Sequence, residues 1–73
     1  MARGWLRVGG AGLFGGKIIV DGEAIGFALL ERDLPVGAHS VTVVSPTSGQ
    51  TLLRQTIRLG GHHTHARALS LLR

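Results

Sequence analysis

The sequence predicts an all-β fold: a small antiparallel β-sandwich of about six to seven short strands. Three observations carry this prediction. Twelve glycines in 73 residues interrupt the chain at intervals of about ten residues, which is typical of a chain that turns often. Isoleucine and valine fill the runs between the glycines, and an Asp-Gly pair separates two of these runs. A chain this short forms one domain, which we expect to span residues 1–73.

The individual strands are predicted from the runs that lie between the turn residues. Each run is rich in residues that favour a pleated, half-buried surface. The predicted strands are 4–8, 17–20, 23–27, 38–44, 51–59 and 63–72. The residues predicted to form the structural turns are Asp21, Gly22, Gly26, Gly37, Gly60 and Gly61.

The best-defined element is the hairpin around Asp21 and Gly22. A two-residue type I′ turn needs positive φ at both central residues, which Asp tolerates and Gly adopts freely. Because side chains alternate between the two faces of a strand, Ile18 and Val20 are expected on the core face. The sequence therefore predicts two antiparallel strands joined by a tight bend.

The run 38–44 alternates apolar and polar residues, as a half-buried strand does. Val41 and Val43 share its core face with His39. We expect His39 to be an amphipathic residue at the start of the strand, with a partly buried ring bonded to a backbone group. Residues 27–34, just before this strand, contain good helix formers but span only about two helical turns. They are predicted to form an extended or irregular crossover, with a short helical turn as the alternative.

The last two runs differ in how clearly they assign a face. In 51–59, Leu53, Gln55, Ile57 and Leu59 share one parity and predict the core face. In 63–72 the apolar residues change parity, which a β-bulge near Arg67 would explain. Residues 4–8 and 63–72 are terminal and least strictly patterned, so they are predicted to be the exposed edge strands.

The order of these signals resembles that of a PEGA domain, a small β-sandwich module of bacteria and archaea. The most specific matches are the Val20-Asp21-Gly22 hairpin and the Gly37-x-His39-x-Val-x-Val strand. The remaining matches are Trp5 to Val8, Leu13-Phe14-Gly15-Gly16, Gly26, Leu34-Pro35 and Gln50 to Leu71. The family's Pro-Glu-Gly-Ala turn reads Leu-Phe-Gly-Gly here. The resemblance implies a non-catalytic module, often appended to bacterial surface proteins or kinases, and no defined ligand.

The charge balance bears on possible partners. Eight Lys and Arg against four Asp and Glu give a formal net charge of +4. A basic chain can indicate binding to a polyanion, with nucleic acid or a cell-wall polymer as the ligand. However, the basic residues are spread without a run, and three aromatic residues leave little for base stacking. Nucleic acid is therefore the less favoured partner, and polyanion binding is kept as an alternative function.

Catalysis is not indicated by any cluster of residues. Asp21 is accounted for by the turn, and Glu31 and Asp33 flank Arg32 as in a solvated loop. A general acid/base pair needs two carboxylates across a cleft, which a domain of this size hardly offers. The glycines before Lys17 lack the hydroxyl residue and the helix of a phosphate loop. We therefore expect no enzymatic activity and no cofactor.

Histidine is the residue type that could form a metal site. On a strand, His63 and His65 would project to the same face about 7 Å apart, and His39 could supply a third nitrogen. The chain has no cysteine, and no carboxylate lies near the cluster in sequence. The interpretation favoured here is that these histidines are solvated or hydrogen-bonded. A His-based metal module is retained as an alternative.

The function predicted from these observations is a structural or protein-interaction module. Edge strands present unpaired N–H and C=O groups that can accept another strand. Arg54, Arg58 and Arg67 are the predicted partner contacts, and self-association into a dimer or filament is also expected. No apolar run is long enough for a membrane span, and no signal peptide is visible. If the chain belongs to a longer PEGA protein, an extracytoplasmic location in bacteria is expected.

Overall fold

The computed structural model describes residues 2–73, and within them seven β-strands form two sheets. The strands are β1 (Arg3–Gly9), β2 (Lys17–Val20), β3 (Glu23–Phe27), β4 (Leu30–Pro35), β5 (Gly37–Val44), β6 (Thr51–Leu59) and β7 (Leu69–Leu72). One sheet has the order β4-β1-β7 and the other the order β3-β2-β5-β6. The predicted all-β class is confirmed.

The three-stranded sheet departs from the prediction in two respects. First, β1 pairs with β7 in parallel, with Leu6 opposite Leu69, whereas the sequence predicted antiparallel pairing throughout. Second, β1 is the central strand of this sheet, so the prediction that residues 4–8 form an edge is wrong. Both departures have one cause: the chain returns to β1 twice, once on each side, through β4 and β7.

Strand β4 replaces the crossover that was predicted for residues 27–34. It pairs antiparallel with β1, placing Glu31 opposite Arg7. The two side chains form an ion pair at 3.5 Å, and Arg3 pairs with Asp33 at 3.1 Å. Oppositely charged neighbours across a sheet stabilise the pairing, so a charged segment can form a strand without apolar alternation. The helical alternative is not observed.

The predicted strand 63–72 is only partly correct. Residues 69–72 form β7, an edge of the three-stranded sheet, and residues 60–68 are irregular. No bulge changes the face near Arg67 among the described residues. Instead, the backbone N–H of Arg67 donates to the carbonyl of Thr64 at 3.0 Å and closes a turn. The apolar parity changes because the strand begins only at Leu69, and Leu71 then lies in the core.

The core lies between the two sheets and confirms the predicted faces, except at Gln55, which is exposed. Ile18, Val20, Val41 and Val43 are buried, as their alternation required. Side chains of β1, β4, β6 and β7 and of two connecting segments complete the cluster. Its further members are Leu6, Val8, Leu13, Ala28, Leu34, Leu53, Ile57, Leu59 and Leu71.

The hairpin between β2 and β3 has the predicted two-residue turn. Val20 pairs with Glu23, and φ is 52° at Asp21 and 84° at Gly22, as a type I′ turn requires. Gly26 was predicted to be a turn residue, and this is wrong. It lies within β3, next to a register shift that leaves one extra residue on that strand, so it belongs to a β-bulge.

The sandwich has two ends with different contents. We call one the histidine end, formed by Asp21-Gly22, Val36 and residues 60–63. We call the other the apolar end, formed by residues 10–16, 28–29 and 45–50 together with Arg73. The strand bounds place every connection at one end or the other, except residues 64–68, which run back beside β1. Within the described residues there is no helix of the length and hydropathy that crossing a membrane requires.

Candidate functional site

The longest edge strand of the fold is β6. This strand is nine residues long and pairs with β5 along one side. Within residues 2–73 no other strand pairs with it, so alternate residues turn their N–H and C=O groups away from the sheet. Arg54, Thr56 and Arg58 are exposed on the face opposite the core. At its start, Arg73 Nη1 donates to the carbonyl of Leu52 at 3.4 Å, and a register shift against β5 leaves Leu52 as an extra residue on β6. The regular part of this basic edge is therefore residues 53–59.

The other three edges are shorter or obstructed. Strand β7 has four residues. Strand β4 has six residues and ends at Pro35, which has no N–H to donate. Strand β3 is irregular because of its bulge, and the carbonyl of Ile25 accepts a hydrogen bond from Arg32 Nη1 at 3.3 Å. Strand β6 has the same two features only at Leu52, and its regular part, residues 53–59, is still longer than each of these three edges.

The charges are distributed unequally between the two halves of the chain. All four carboxylates lie before residue 34, where four basic residues balance them. Residues 34–73 contain four arginines and no carboxylate, so they carry the whole formal charge of +4. The basic residues of that half are Arg54, Arg58, Arg67 and Arg73. The structure thus has a neutral part around β1 to β4 and a basic part that includes β6.

The three arginines predicted to contact a partner do not lie together. Arg54 and Arg58 share the exposed face of β6, four residues apart, which corresponds to about 13 Å along a strand. Arg67 lies in the irregular segment beside β1. For none of the three is a carboxylate within salt-bridge distance in the part of the chain that the structure describes. Arg54 and Arg58 therefore form the basic face of the β6 edge, and Arg67 is separate from it.

His39 links the two sheets at the histidine end. Its ring lies between the carboxylate of Asp21, 2.6 Å from Nδ1, and the carbonyl of Pro35, 2.6 Å from Nε2. Pro35 ends β4 in one sheet, whereas Asp21 follows β2 in the other. The side chain of His39 is only 11% exposed. The predicted buried ring with a backbone partner is confirmed, and the carboxylate partner was not predicted.

The two partners of His39 determine its protonation state. A carboxylate and a carbonyl can only accept hydrogen bonds, so both ring nitrogens must donate, as an imidazolium does. The carbonyl of Pro35 and then the carboxylate of Asp21 raise the pKa of His39 above 6.5. A hydrogen bond from the backbone N–H of Ser40, at 2.9 Å, and the His39 ring lower the pKa of Asp21 below 3.8. The pair is therefore charged over a wide range below neutral pH.

The histidines proposed as metal ligands are separated and engaged in different contacts. His63 Nδ1 accepts a hydrogen bond from the N–H of Gly60 at 3.0 Å. His65 Nε2 lies 2.8 Å from a Glu31 oxygen, and its ring meets Trp5 edge-on at 4.7 Å between centroids. Among residues 2–73 no three His, Cys, Asp or Glu side chains are grouped closely enough for a metal ion. The prediction that His63 and His65 project from the same face of a strand is wrong, because residues 60–68 form no strand.

The remaining predicted turn residues have structural roles. Gly37 has a φ of 127° and begins β5, directly after the corner at Val36. Gly60 has no side chain where the ring of His62 packs; a Cβ there would lie 2.6 Å from that ring. Gly61 is in a turn with open space around it. The glycines at the histidine end therefore allow the chain to change direction twice.

Comparison of the chain with protein-family models, curated proteins and solved structures finds no match. The resemblance to PEGA domains thus stays a prediction.

Proposed function

We propose that this protein is a non-catalytic interaction module that binds an extended, acidic segment of another protein as an added strand on β6. The observation that carries the proposal is the open edge of β6 over residues 53–59, with Arg54 and Arg58 on its exposed face. Strand addition uses backbone hydrogen bonds for affinity and side-chain contacts for selectivity. The β6 edge supplies both.

The arginines favour an acidic partner. Carboxylates spaced four residues apart on the added strand would face Arg54 and Arg58 across the new pairing. Each opposite-charge pair across a sheet contributes about 0.2–1 kcal/mol, and like charges destabilise by similar amounts. The two arginines therefore select among strands that would all satisfy the same backbone groups.

The same charges disfavour pairing of β6 with β6 of a second copy. An antiparallel arrangement centred on Thr56 places Arg54 of one copy opposite Arg58 of the other. Two such contacts between like charges arise from the symmetry. We therefore favour a partner of different sequence over the dimer or filament considered from sequence. Light scattering that shows a β6-dependent dimer at neutral pH would contradict this choice.

Titration with a β-prone peptide that carries glutamate at every fourth position tests the proposal. Arg54→Glu and Arg58→Glu should each weaken binding about two- to thirtyfold, because each replaces an attraction by a repulsion of similar size. Arg67→Glu is the matched control, since it changes the net charge equally but lies outside β6. Equal weakening by all three variants would show that only overall charge matters.

A second function, polyanion binding, is favoured by one observation: the whole net charge of +4 arises within residues 34–73. In this case the ligand would be nucleic acid or a cell-wall polymer. Affinity for heparin or single-stranded DNA would fall steeply with salt and would depend on Arg67 and Arg73 as much as on Arg54. Binding of this kind leaves the outward amides of β6 unprotected, which distinguishes it from strand addition.

A further inference from the structure

The four most exposed large apolar side chains in the described residues lie in the apolar end or directly next to it in the chain. Their exposed fractions are 73% for Phe14, 58% for Phe27, 65% for Leu29 and 62% for Leu72. Scattered single apolar residues on a surface are ordinary, but a group of them at one end of a small domain indicates contact. The fifth, Val36, lies at the opposite end and is 39% exposed.

Backbone contacts show that these side chains share one end. The N–H of Gly15, next to Phe14, donates to the carbonyl of Ala28 at 2.9 Å. Ala28 lies between Phe27 and Leu29 in the chain. Gly9 is opposite Leu72 in the parallel pair, and a Cβ at Gly9 would lie 2.5 Å from Leu29 Cδ2. Leu29 and Leu72 lie together over Gly9 on the outward face of the three-stranded sheet, whereas Phe27 shares the outward face of the four-stranded sheet with Lys17. The four exposed apolar side chains therefore surround the apolar end.

Basic residues flank the apolar end. Lys17 is exposed and pairs with Phe27 through the backbone, and Arg73 follows Leu72. Residues 10–17, 27–29, 45–50 and 72–73 contain no Asp or Glu. Glu31 lines a depression of about 310 Å³ beside Leu29 and Leu72, and its carboxylate is paired with Arg7 and His65. Apart from this paired Glu31, the exposed charges at the apolar end are the cations Lys17 and Arg73.

We propose that the apolar end docks on the surface of an anionic lipid bilayer. Aromatic and aliphatic side chains bordered by Lys and Arg suit the boundary between headgroups and acyl chains, and anionic lipids attract the cations. A second copy of this chain is the less suitable occupant, because joining two apolar ends brings the Lys17 and Arg73 side chains of both copies together. The inference is independent of the β6 proposal.

Docking by this end leaves β6 available. The strands run between the two ends of the sandwich, so β6 begins near the membrane at Thr51 and extends away from it to Leu59. The histidine end then lies farthest from the bilayer. The longest dimension of the molecule is 36 Å and the shortest is 16 Å.

Co-sedimentation with vesicles tests this inference. The full chain should bind phosphatidylcholine vesicles that contain phosphatidylserine and should bind pure phosphatidylcholine vesicles much more weakly. Phe14→Ser should weaken binding about tenfold or more, and Lys17→Ala about fivefold. Val36→Ser, an exposed apolar residue at the opposite end, is the control and should bind like the unaltered chain.

Fluorescence of Phe14→Trp reports the geometry directly. Brominated acyl chains should quench the new tryptophan and leave Trp5 unquenched. The backbone N–H of Trp5 donates to the carbonyl of His63, which belongs to the histidine end. The inference is overturned if anionic vesicles do not bind the chain, or if Phe14→Ser and Val36→Ser weaken binding equally. Light scattering that shows a dimer abolished by Phe14→Ser would also overturn it, in favour of a second copy.

Discussion

The two ends of the sandwich are built from the same strands and differ in chemistry. At the histidine end, polar groups are satisfied within the molecule: His39 is bonded on both ring nitrogens, and Asp21 accepts from Ser40. At the apolar end, Phe14 and Leu29 face solvent instead of the core. A fold of this size has little apolar surface to spare, so exposed aromatic residues need a reason outside the core.

The two ends are expected to affect different properties: the histidine end the stability of the fold, and the apolar end contact with a partner surface. The histidine end ties β4 of one sheet to β2 of the other through one imidazolium, and its effect is expected on folding. Backbone hydrogen bonds also join the loops of the apolar end, but the exposed side chains there lie outside the core. Mutations at the two ends should therefore change different measurements.

The largest effect is expected from a residue that belongs to the core although its loop is at the apolar end. Leu13 is 0% exposed, whereas its neighbour Phe14 faces solvent. Leu13→Ala should lower the free energy of unfolding by about 2–5 kcal/mol, because it removes buried methyl groups and leaves a cavity. Urea denaturation followed by circular dichroism measures this. A change below about 0.5 kcal/mol would show that the loop is not packed on the core.

The next effect is expected at the histidine end. His39→Gln should lower the free energy of unfolding by about 1–3 kcal/mol at pH 6, because an amide replaces a charge-assisted bond to Asp21 and the bond to Pro35. His62→Gln, at the same end, is the control and should have the smaller effect. Equal effects of the two variants would contradict a link between the sheets through His39.

The stability should also depend on pH in a defined direction. The raised pKa of His39 means that its contribution is complete below pH 6.5 and is lost as the pH rises through the folded-state value. The lowered pKa of Asp21 means that its contribution is complete above pH 3.8 and is lost in acid. The pair therefore stabilises the fold most between these two pH values.

Thermal unfolding at pH 6 and pH 9 measures this dependence. The unaltered chain should melt at a lower temperature at pH 9, and His39→Gln should reduce the difference. All other ionisable groups are the same in the two proteins, so the difference between their pH dependences reports the contribution of His39. A pH dependence that is identical in the two proteins would exclude His39 as its source.

The smallest effect on stability is expected from Phe14→Ser. Because the side chain is 73% exposed, the free energy of unfolding should change by no more than about 0.5 kcal/mol. The same variant should lose vesicle binding, so that the two measurements separate. A large loss of stability would place Phe14 in the core and remove the contrast between the ends.

The sequence predicted those parts of the fold that depend on neighbours along the chain. The bend at Asp21-Gly22 and the inward faces of β2, β5 and β6 follow from residue type and alternation, and the structure has them. The order of strands in the sheets depends on contacts distant in sequence. For this reason β1 was placed at an edge, and its parallel partner β7 was not foreseen.

Two further features required knowledge of which strands are neighbours. Strand β4 has charged residues instead of alternation, and its ion pairs with Arg3 and Arg7 exist only once β1 lies beside it. The bond from His39 to Asp21 requires β2 next to β5, where Val20 is opposite Val41. The residues of this contact were singled out from sequence, but separately, one for a turn and one for a strand.

Hydrogen exchange at β6 tests the central claim, that this edge accepts a strand, most directly. In the free protein, alternate amides of residues 51–59 should exchange fast because they face away from β5. Addition of the glutamate-bearing peptide should protect these outward amides, and the Arg58→Glu variant should require more peptide for the same protection. Peptide binding that leaves the outward amides of β6 as fast as before would contradict the account.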